Sequence, residues 1–288
     1  ALNFLRSIVE PAGLPHGAWF EAALLLDLCY LSGRLKVEAL PMVCAALVIL
    51  LKKSDSSVKL ANLAELAGVT ALFATGLAGM GYCAPQEVRE EDLRQQELAV
   101  LQALGWQVNW PSVMTWLAAL CDRFDVLSHH GLTSLLEWIY TQSMASAMML
   151  VTHHAASVEM APQRMANGLF CIFLAVGRMV PLASLRPAHL TEEEWEERFC
   201  RSQCQGAPPV CALSPARSAG LLEILRMVTG CEFQTLQADA HAVVEAMLNV
   251  AVEMQERLAS QVVSCGGSCN GQASPASVGA GTGCWQAP

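Results

Sequence analysis

Charged residues are scarce in this chain of 288 residues: they make up 15% of it, while hydrophobic residues make up 53%. This composition argues against an intrinsically disordered protein, which lacks the apolar side chains needed for a core. Cationic residues are the scarcer kind, the formal net charge is −9, and the one adjacent lysine or arginine pair is Lys52-Lys53. A nucleic-acid binder needs a basic face to meet phosphates, so we predict no nucleic-acid partner.

Motifs for catalysis and for cofactor binding are also missing. The sequence has no GxGxxG after a strand, no GxxxxGK[ST], no HExxH and no GxSxG. Adjacent residues on a helix point about 100° apart, and structural zinc sites need matched CxxC pairs. The histidine and cysteine pairs therefore make poor metal sites: His129-His130, His153-His154, Cys200 with Cys204, and Cys265 with Cys269. We predict no enzyme, no cofactor and no metal ion.

A membrane span is the next class to consider, because the mean hydropathy is +0.37. The segment from Leu66 to Pro85 is uncharged and has roughly the 20 residues that a span requires. It is rich in alanine and glycine, however, and neither side carries the lysine or arginine flank that orients a membrane helix. We therefore predict a loosely packed helix or a loop insertion here, and no membrane partner.

Cysteine is not scarce, since the chain has 12. Four of them lie inside apolar helical runs and are expected to behave as small buried hydrophobic residues: Cys29, Cys44, Cys121 and Cys171. No secretory signal pattern opens the sequence, so we expect a reducing compartment, the nucleus or the cytoplasm or both.

Strand alternation is almost absent, and the apolar residues recur with helical spacing. The predicted helices of the first part are Leu2 to Val9, His16 to Leu31, Val37 to Lys52, Val58 to Leu66 and Glu87 to Val108. Those of the second part are Ser112 to Leu127, Leu132 to His153, Met160 to Val180, a short one after Thr191, Ala216 to Val228 and Leu236 to Val262.

Two of these helices, which begin near Pro41 and Pro162, are apolar on most faces. A helix of that kind that is too short to cross a bilayer is expected at the centre of a bundle. We therefore predict an all-α fold of two consecutive helical bundles, residues 1–110 and 111–262. Residues 263–288 are rich in glycine, serine and alanine and predict a disordered tail.

Glu97 is an anomaly on the predicted fifth helix. At 100° per residue it falls inside an apolar stripe that is formed by Leu93, Val100, Leu101, Leu104 and Val108. A carboxylate there needs a cationic or hydrogen-bonding partner to offset the cost of desolvation. Two interpretations follow: an internal salt bridge or boundary position, or a charge that helps to anchor a partner protein.

The residues around Glu97 resemble the cyclin family. The segment from Arg94 to Val108 is similar, without a gap, to the fifth helix of the first cyclin box, "R-x-M-E-x-x-[VI]-L-x-x-L-x-[FW]-x-[LV]", and a "P-[ST]" turn follows at Pro111-Ser112. Shorter segments resemble other family patterns: Leu5 to Val9 ("M-R-A-I-L"), Leu26 to Ser32 ("[IL]-D-R-F-L-S"), Leu47 to Lys53 ("L-A-S-K-x-E-E") and Met160 to Ala166 ("Y-x-P-S-x-I-A"). The resemblance covers residues 1 to 262.

The resemblance implies two five-helix cyclin boxes and the role of an activating subunit of a cyclin-dependent protein kinase. In that family the first box packs against the αC helix of the kinase, so that the β3 lysine and the αC glutamate can pair. Carried over by position, Glu97 and either Lys53 or Lys52 are the charged anchors for the kinase. Leu101, Trp106 and Val108 are the apolar contacts beside them.

This chain also departs from the family pattern. Pro11 and Gly13 cut the first helix short, so the substrate-docking patch around Leu5, Ile8 and Val9 lacks its usual tryptophan. Ser54-Asp55 replaces the expected acidic pair after the lysine, and the Ala/Gly stretch expands the segment before Glu97. A cyclin-fold adaptor that binds other partners without activating a kinase is the alternative function.

Overall fold

The regular secondary structure of the described residues is helical, with no strand, which confirms the all-α prediction. The computed structural model describes residues 1–15, 17–54, 63–79, 88–153, 160–180, 185–186, 189–195, 197 and 215–266. The first helices are α1 (Leu2–Val9), α2 (Ala18–Leu31), α3 (Leu40–Ser54), α4 (Leu63–Gly79) and α5 (Glu90–Ala103). The later helices are α6 (Val113–Leu127), α7 (Thr133–His153), α8 (Pro162–Val176), α9 (Glu192–Trp195), α10 (Pro215–Thr229) and α11 (Phe233–Gly266).

Helix α3 is the central helix among α1 to α5, as its all-round apolar sequence predicts. Every residue from Pro41 to Lys52 is buried, and α3 packs against α1, α2, α4 and α5. A turn of 3-10 helix at Val37–Ala39 leads into it. The lysines of its last turn lie where the negative end of the helix dipole favours cations.

Helix α8 has the same character in the second part of the chain. Its residues from Met165 to Val176 are all buried, and α8 packs against α6 and α7, while α10 packs against α6. Pro162 begins the helix, at a position where the missing N–H of proline costs nothing. Gly168 lets α11 come very close, since a Cβ at this position would lie 2.7 Å from the carbonyl oxygen of Asp239.

The Ala/Gly stretch forms a helix up to Gly79, which is the first of the two predicted alternatives, but the predicted end of the preceding helix at Leu66 is wrong. Helix α4 begins at Leu63 and runs through the stretch to Gly79, instead of ending at Leu66. Alanine is the best helix former, and packing of one face offsets the cost of the glycines. That face includes Leu66, Ala74 and Phe73, whose ring stacks on Phe4 of α1 at a centroid distance of 3.7 Å. Residues 80–87 lie outside the described part of the chain.

Helix α5 ends earlier than its apolar stripe predicts. The stripe continues to Val108, but the helix stops at Ala103 because Gly105 takes a left-handed conformation, with φ of +61°. The N–H of Trp106 then donates to the carbonyl oxygen of Leu101 at 2.8 Å, and that of Gly105 donates to Gln102 at 3.3 Å. These two bonds make a Schellman motif, which satisfies carbonyl groups that the helix end leaves free.

The chain forms two compact units, Ala1–Val250 and Ala251–Pro288. The predicted boundary at residue 110 falls inside the first unit and stays a prediction. In the second unit, the described residues belong to the C-terminal part of α11. This helix continues to Gly266, so the predicted tail, 263–288, begins too early, and its remaining residues lie outside the described part of the chain. Across the described ranges, no helix combines the length and the apolar character needed to cross a membrane.

Candidate partner-binding surface

The structure joins two of the residues that the sequence predicts as anchors. The Nζ atom of Lys53, in the last turn of α3, lies 2.6 Å from Oε1 and 2.8 Å from Oε2 of Glu97 on α5. The ammonium group thus donates to both carboxylate oxygens. The Glu97 side chain is 11% exposed and that of Lys53 is 49% exposed, so the pair lies at the edge of the α3–α5 contact, with the cation toward solvent.

The surroundings of Glu97 explain why it needs this partner. Leu93 and Val100, on the same face of α5, are completely buried against the core. A carboxylate between them loses most of its water, and two charge-assisted hydrogen bonds offset that loss. The internal salt bridge therefore accounts for Glu97 within the chain itself, and any role toward a partner is additional.

Lys52 does not join this pair. It precedes Lys53 by one residue, so it points about 100° away around α3. The residue is 8% exposed and lines a small cavity of about 100 Å³ beside Ile8 of α1 and Glu65 of α4. Of the two lysines that the sequence leaves open, Lys53 is the one that meets Glu97.

The predicted apolar contacts differ in their exposure. Trp106 is 65% exposed, while Leu101 and Val108 are half-buried. Sequence reasoning missed two further apolar side chains: Leu98, which is 47% exposed, and Trp110, which is 40% exposed. The position of Leu98 off the buried stripe of α5 was the available signal, because an apolar residue there must face solvent. We call these residues the α5 surface: Leu98, Leu101, Trp106, Val108 and Trp110.

Two features define the backbone at the end of α5, next to the α5 surface. Trp106 has a φ of +64°, which is a strained value for a residue with a side chain. This conformation places the Trp106 side chain immediately after the end of the helix. Arg34 donates from Nη1 to the carbonyl oxygen of Gln102 at 2.8 Å. A cation at the C-terminus of α5 is favoured by the helix dipole, and it ties the loop after α2 to that end.

The predicted docking patch on the first helix does not fit the structure. Leu5, Ile8 and Val9 are 0%, 3% and 1% exposed, so these side chains belong to the core. Helix α1 does end early, at Val9, and Gly13 has a φ of +72° in the following turn. α1 buries this face against α2, α3 and α4, so Leu5 and Val9 present no surface to a substrate, and Ile8 lines only the small cavity beside Lys52.

The four cysteines predicted to be buried are buried: Cys29, Cys44, Cys121 and Cys171. Burial raises the pKa of each of these thiols to about 12. Their thiolates, which are the reactive and metal-binding forms, are therefore rare at neutral pH. Within the described part of the chain, no three histidine, cysteine or acidic side chains are grouped to hold a metal ion. His154, Cys200, Cys204 and Cys269 lie outside it.

Comparison with protein-family models and with curated proteins found no match for this chain.

Proposed function

We propose that the chain is a cyclin-like regulatory subunit that binds and activates a cyclin-dependent serine/threonine protein kinase in the nucleus or the cytoplasm. The observation that carries the proposal is the Lys53–Glu97 pair beside the α5 surface. The resemblance assigns anchor roles to these two positions, and they are 44 residues apart in the sequence. Their meeting at 2.6 Å supports the alignment on which the assignment depends.

The proposed mechanism uses the α5 surface as a support for the αC helix of the kinase. Leu98 and Trp106 would supply the apolar contact, because burial of exposed apolar and aromatic side chains contributes most of the affinity at such interfaces. Lys53, whose side chain is half-exposed, would fix the register of the docked helix through the one ammonium N–H that Glu97 does not use. Holding αC inward allows the β3 lysine to pair with the αC glutamate, which completes the kinase active site.

One observation favours the alternative, a cyclin-fold adaptor that activates no kinase. Lys53 and Glu97 satisfy one another, so the pair is explained without a kinase. The two functions make different predictions for a swapped pair, Lys53→Glu with Glu97→Lys, which keeps the salt bridge and exchanges its charges.

The test is co-purification with a panel of cyclin-dependent kinases, followed by a peptide phosphorylation assay with each kinase that binds. We expect the wild-type chain to bind and to activate at least one kinase. The swapped pair should melt below the wild type, because a glutamate in the last turn of α3 opposes the helix dipole, but it should stay folded through the retained salt bridge. It should lose most of this activation, because the charge offered to the kinase is reversed. Wild-type protein that binds no kinase, or that binds without activating, would reject the proposal, the second result in favour of the adaptor.

A second variant keeps the test decisive if the swapped pair does not fold. Leu98→Gln removes an exposed apolar side chain from the α5 surface and should weaken kinase binding about tenfold or more. The matched control is Val126→Gln on α6, where the side chain is 61% exposed. Equal loss of binding in both variants would show that the α5 surface is not the binding face.

A further inference from the structure

A pocket of about 210 Å³ lies among α6, α8 and α10, away from the α3–α5 pair. It is smaller than the roughly 300–1,000 Å³ of pockets for drug-sized ligands, and so suits a side chain with its peptide group. The lining residues that matter here are Trp116 and Arg123 of α6, Gln163 and Asn167 of α8, and Met227 and Thr229 of α10.

Asn167 is the first unusual feature of this pocket. The residue is 3% exposed, and its side chain makes no hydrogen bond to any residue in the described part of the chain. A side-chain amide carries two N–H donors and a carbonyl acceptor. The Asn167 amide is not among the fully buried unpaired groups of the described residues, so on a residue that is otherwise buried it reaches accessible space. The pocket that Asn167 lines is the place from which its amide can be satisfied.

Arg123 is the second unusual feature. It is the one charged side chain among the residues described as lining the pocket, it is exposed, and within the described ranges it forms no ion pair or hydrogen bond. The chain carries a net charge of −9, so an arginine in a concave site without an acidic neighbour in the lining stands out. A guanidinium group matches a carboxylate through two parallel N–H···O bonds.

The remaining lining narrows the choice of ligand. The Thr229 hydroxyl already donates to the carbonyl oxygen of Leu225 at 2.8 Å and accepts from the N–H of Cys231 at 3.2 Å. Polar side-chain contacts to a ligand are therefore left to Arg123, Asn167 and Gln163, together with the indole N–H of Trp116. Trp116 is half-buried and Met227 is 54% exposed, so both can cover apolar atoms of the ligand.

We propose that this pocket binds an acidic peptide segment of a partner protein, with a glutamate or aspartate carboxylate on Arg123 and one peptide group on Asn167. A peptide group offers one N–H and one carbonyl oxygen, which complement the carbonyl oxygen and the N–H₂ of the asparagine amide. An acceptor-only anion, such as acetate or sulfate, would leave the asparagine carbonyl unpaired. The proposal concerns a different surface from α3 and α5 and does not depend on kinase activation.

The experiment titrates the full chain with N-acetyl-glutamate α-methylamide and with its neutral match, N-acetyl-glutamine α-methylamide. Calorimetry gives the affinities, and the side-chain amide signal of Asn167 in ¹H–¹⁵N spectra reports the site. We expect the glutamate probe to bind at least tenfold more tightly than the glutamine probe and to shift the Asn167 signal. Arg123→Gln should erase this preference, whereas Arg186→Gln, the same change at an exposed arginine elsewhere, should keep it.

Asn167→Leu should lower the affinity for both probes by a similar factor, so the ratio of the two affinities should stay the same. If that variant does not fold, the Asn167 signal of the wild-type chain decides alone. Equal affinity for the two probes, an unmoved Asn167 signal, or acetate binding as tightly as the glutamate probe would each overturn the proposal. The last result would identify a site for simple anions.

Discussion

The two central helices, α3 and α8, are both buried, but they differ in how the helix dipole acts on the cation that each of them carries. Each contributes one cation to a carboxylate on a neighbouring helix: Lys53 pairs with Glu97, and Arg164 donates from Nε to Oδ1 of Asp239 at 2.8 Å. Lys53 lies in the last turn of α3, where the helix dipole favours a cation, but Arg164 lies in the first turn of α8, where the dipole opposes one. Similar ion pairs therefore contribute differently to the two helices.

The helix crossings differ as well. Near Arg164, Gly168 brings the backbone of α8 against α11, so that a Cβ would also lie 2.7 Å from Cγ2 of Val243. Helix α4, which packs on α3, has glycines too, yet a Cβ on Gly76 would meet nothing within 4 Å. Glycine therefore has a packing role in the second part of the chain that it lacks on α4.

The largest expected effect is that of Gly168→Ala. The new methyl group would overlap backbone atoms that cannot move cheaply, so we expect a loss of about 3 kcal/mol in the free energy of unfolding. Denaturant unfolding measures it. Gly76→Ala is the matched control and should stabilise the chain by up to about 1 kcal/mol, because alanine is the better helix former. Two variants of equal stability would refute the close crossing.

Lys53→Met should have the second-largest effect, a loss of about 2 kcal/mol in the free energy of unfolding. The substitution leaves the nearly buried Glu97 carboxylate without its two hydrogen bonds, and it also removes a favourable interaction with the dipole of α3. Urea titration measures the loss. In Glu97→Gln with Lys53→Met neither charge remains, so this double variant should recover part of the stability. If the double variant were less stable than Lys53→Met alone, the desolvation argument would be contradicted.

Arg164→Met should cost less, about 1 kcal/mol, although Asp239 is only 4% exposed. Removal of the arginine relieves an unfavourable interaction with the start of α8, which offsets part of the lost hydrogen bond. The same urea titration compares the two variants directly. A larger loss for Arg164→Met than for Lys53→Met would mean that burial of the carboxylate outweighs the helix dipole.

The smallest expected effect concerns two aspartates whose pKa values shift in opposite directions. Burial raises the pKa of Asp27 on α2. The pKa of Asp125 on α6 is lowered, mainly by its hydrogen bond with His130, in which the two atoms lie 2.7 Å apart. A raised pKa means that the folded chain binds the proton of Asp27 more tightly than the unfolded chain does. The contribution of Asp27 to stability therefore falls as pH rises above about 4, and that of Asp125 is lost as pH falls below about 4.

In Asp27→Asn, the free energy of unfolding should decline less as the pH rises toward neutral. In Asp125→Asn, it should fall less as the pH drops below about 4. Unfolding free energies measured across this pH range test both variants. If the free energy of unfolding depends on pH in both variants as it does in the wild type, other groups are responsible for the pH dependence.

Sequence reasoning reached some of these features and missed others for physical reasons. The burial of α3 and α8 and the need of Glu97 for a partner follow from helical spacing alone. The extent of α4 does not, because alanine and glycine give no apolar stripe and only packing, such as Phe73 on Phe4, decides the helix. The Arg164–Asp239 pair joins residues 75 positions apart, and no local pattern connects them.

Arg164 and Gly168 lie one helical turn apart on α8, and both face Asp239. The three residues therefore depend on one another, since a larger residue in place of the glycine would push α11 outward and separate the ion pair. In relatives of this chain they should be inherited or lost together. An Arg-x-x-x-Gly sequence on the central helix, together with an aspartate on the helix that crosses it, is the pattern that this dependence predicts for such relatives.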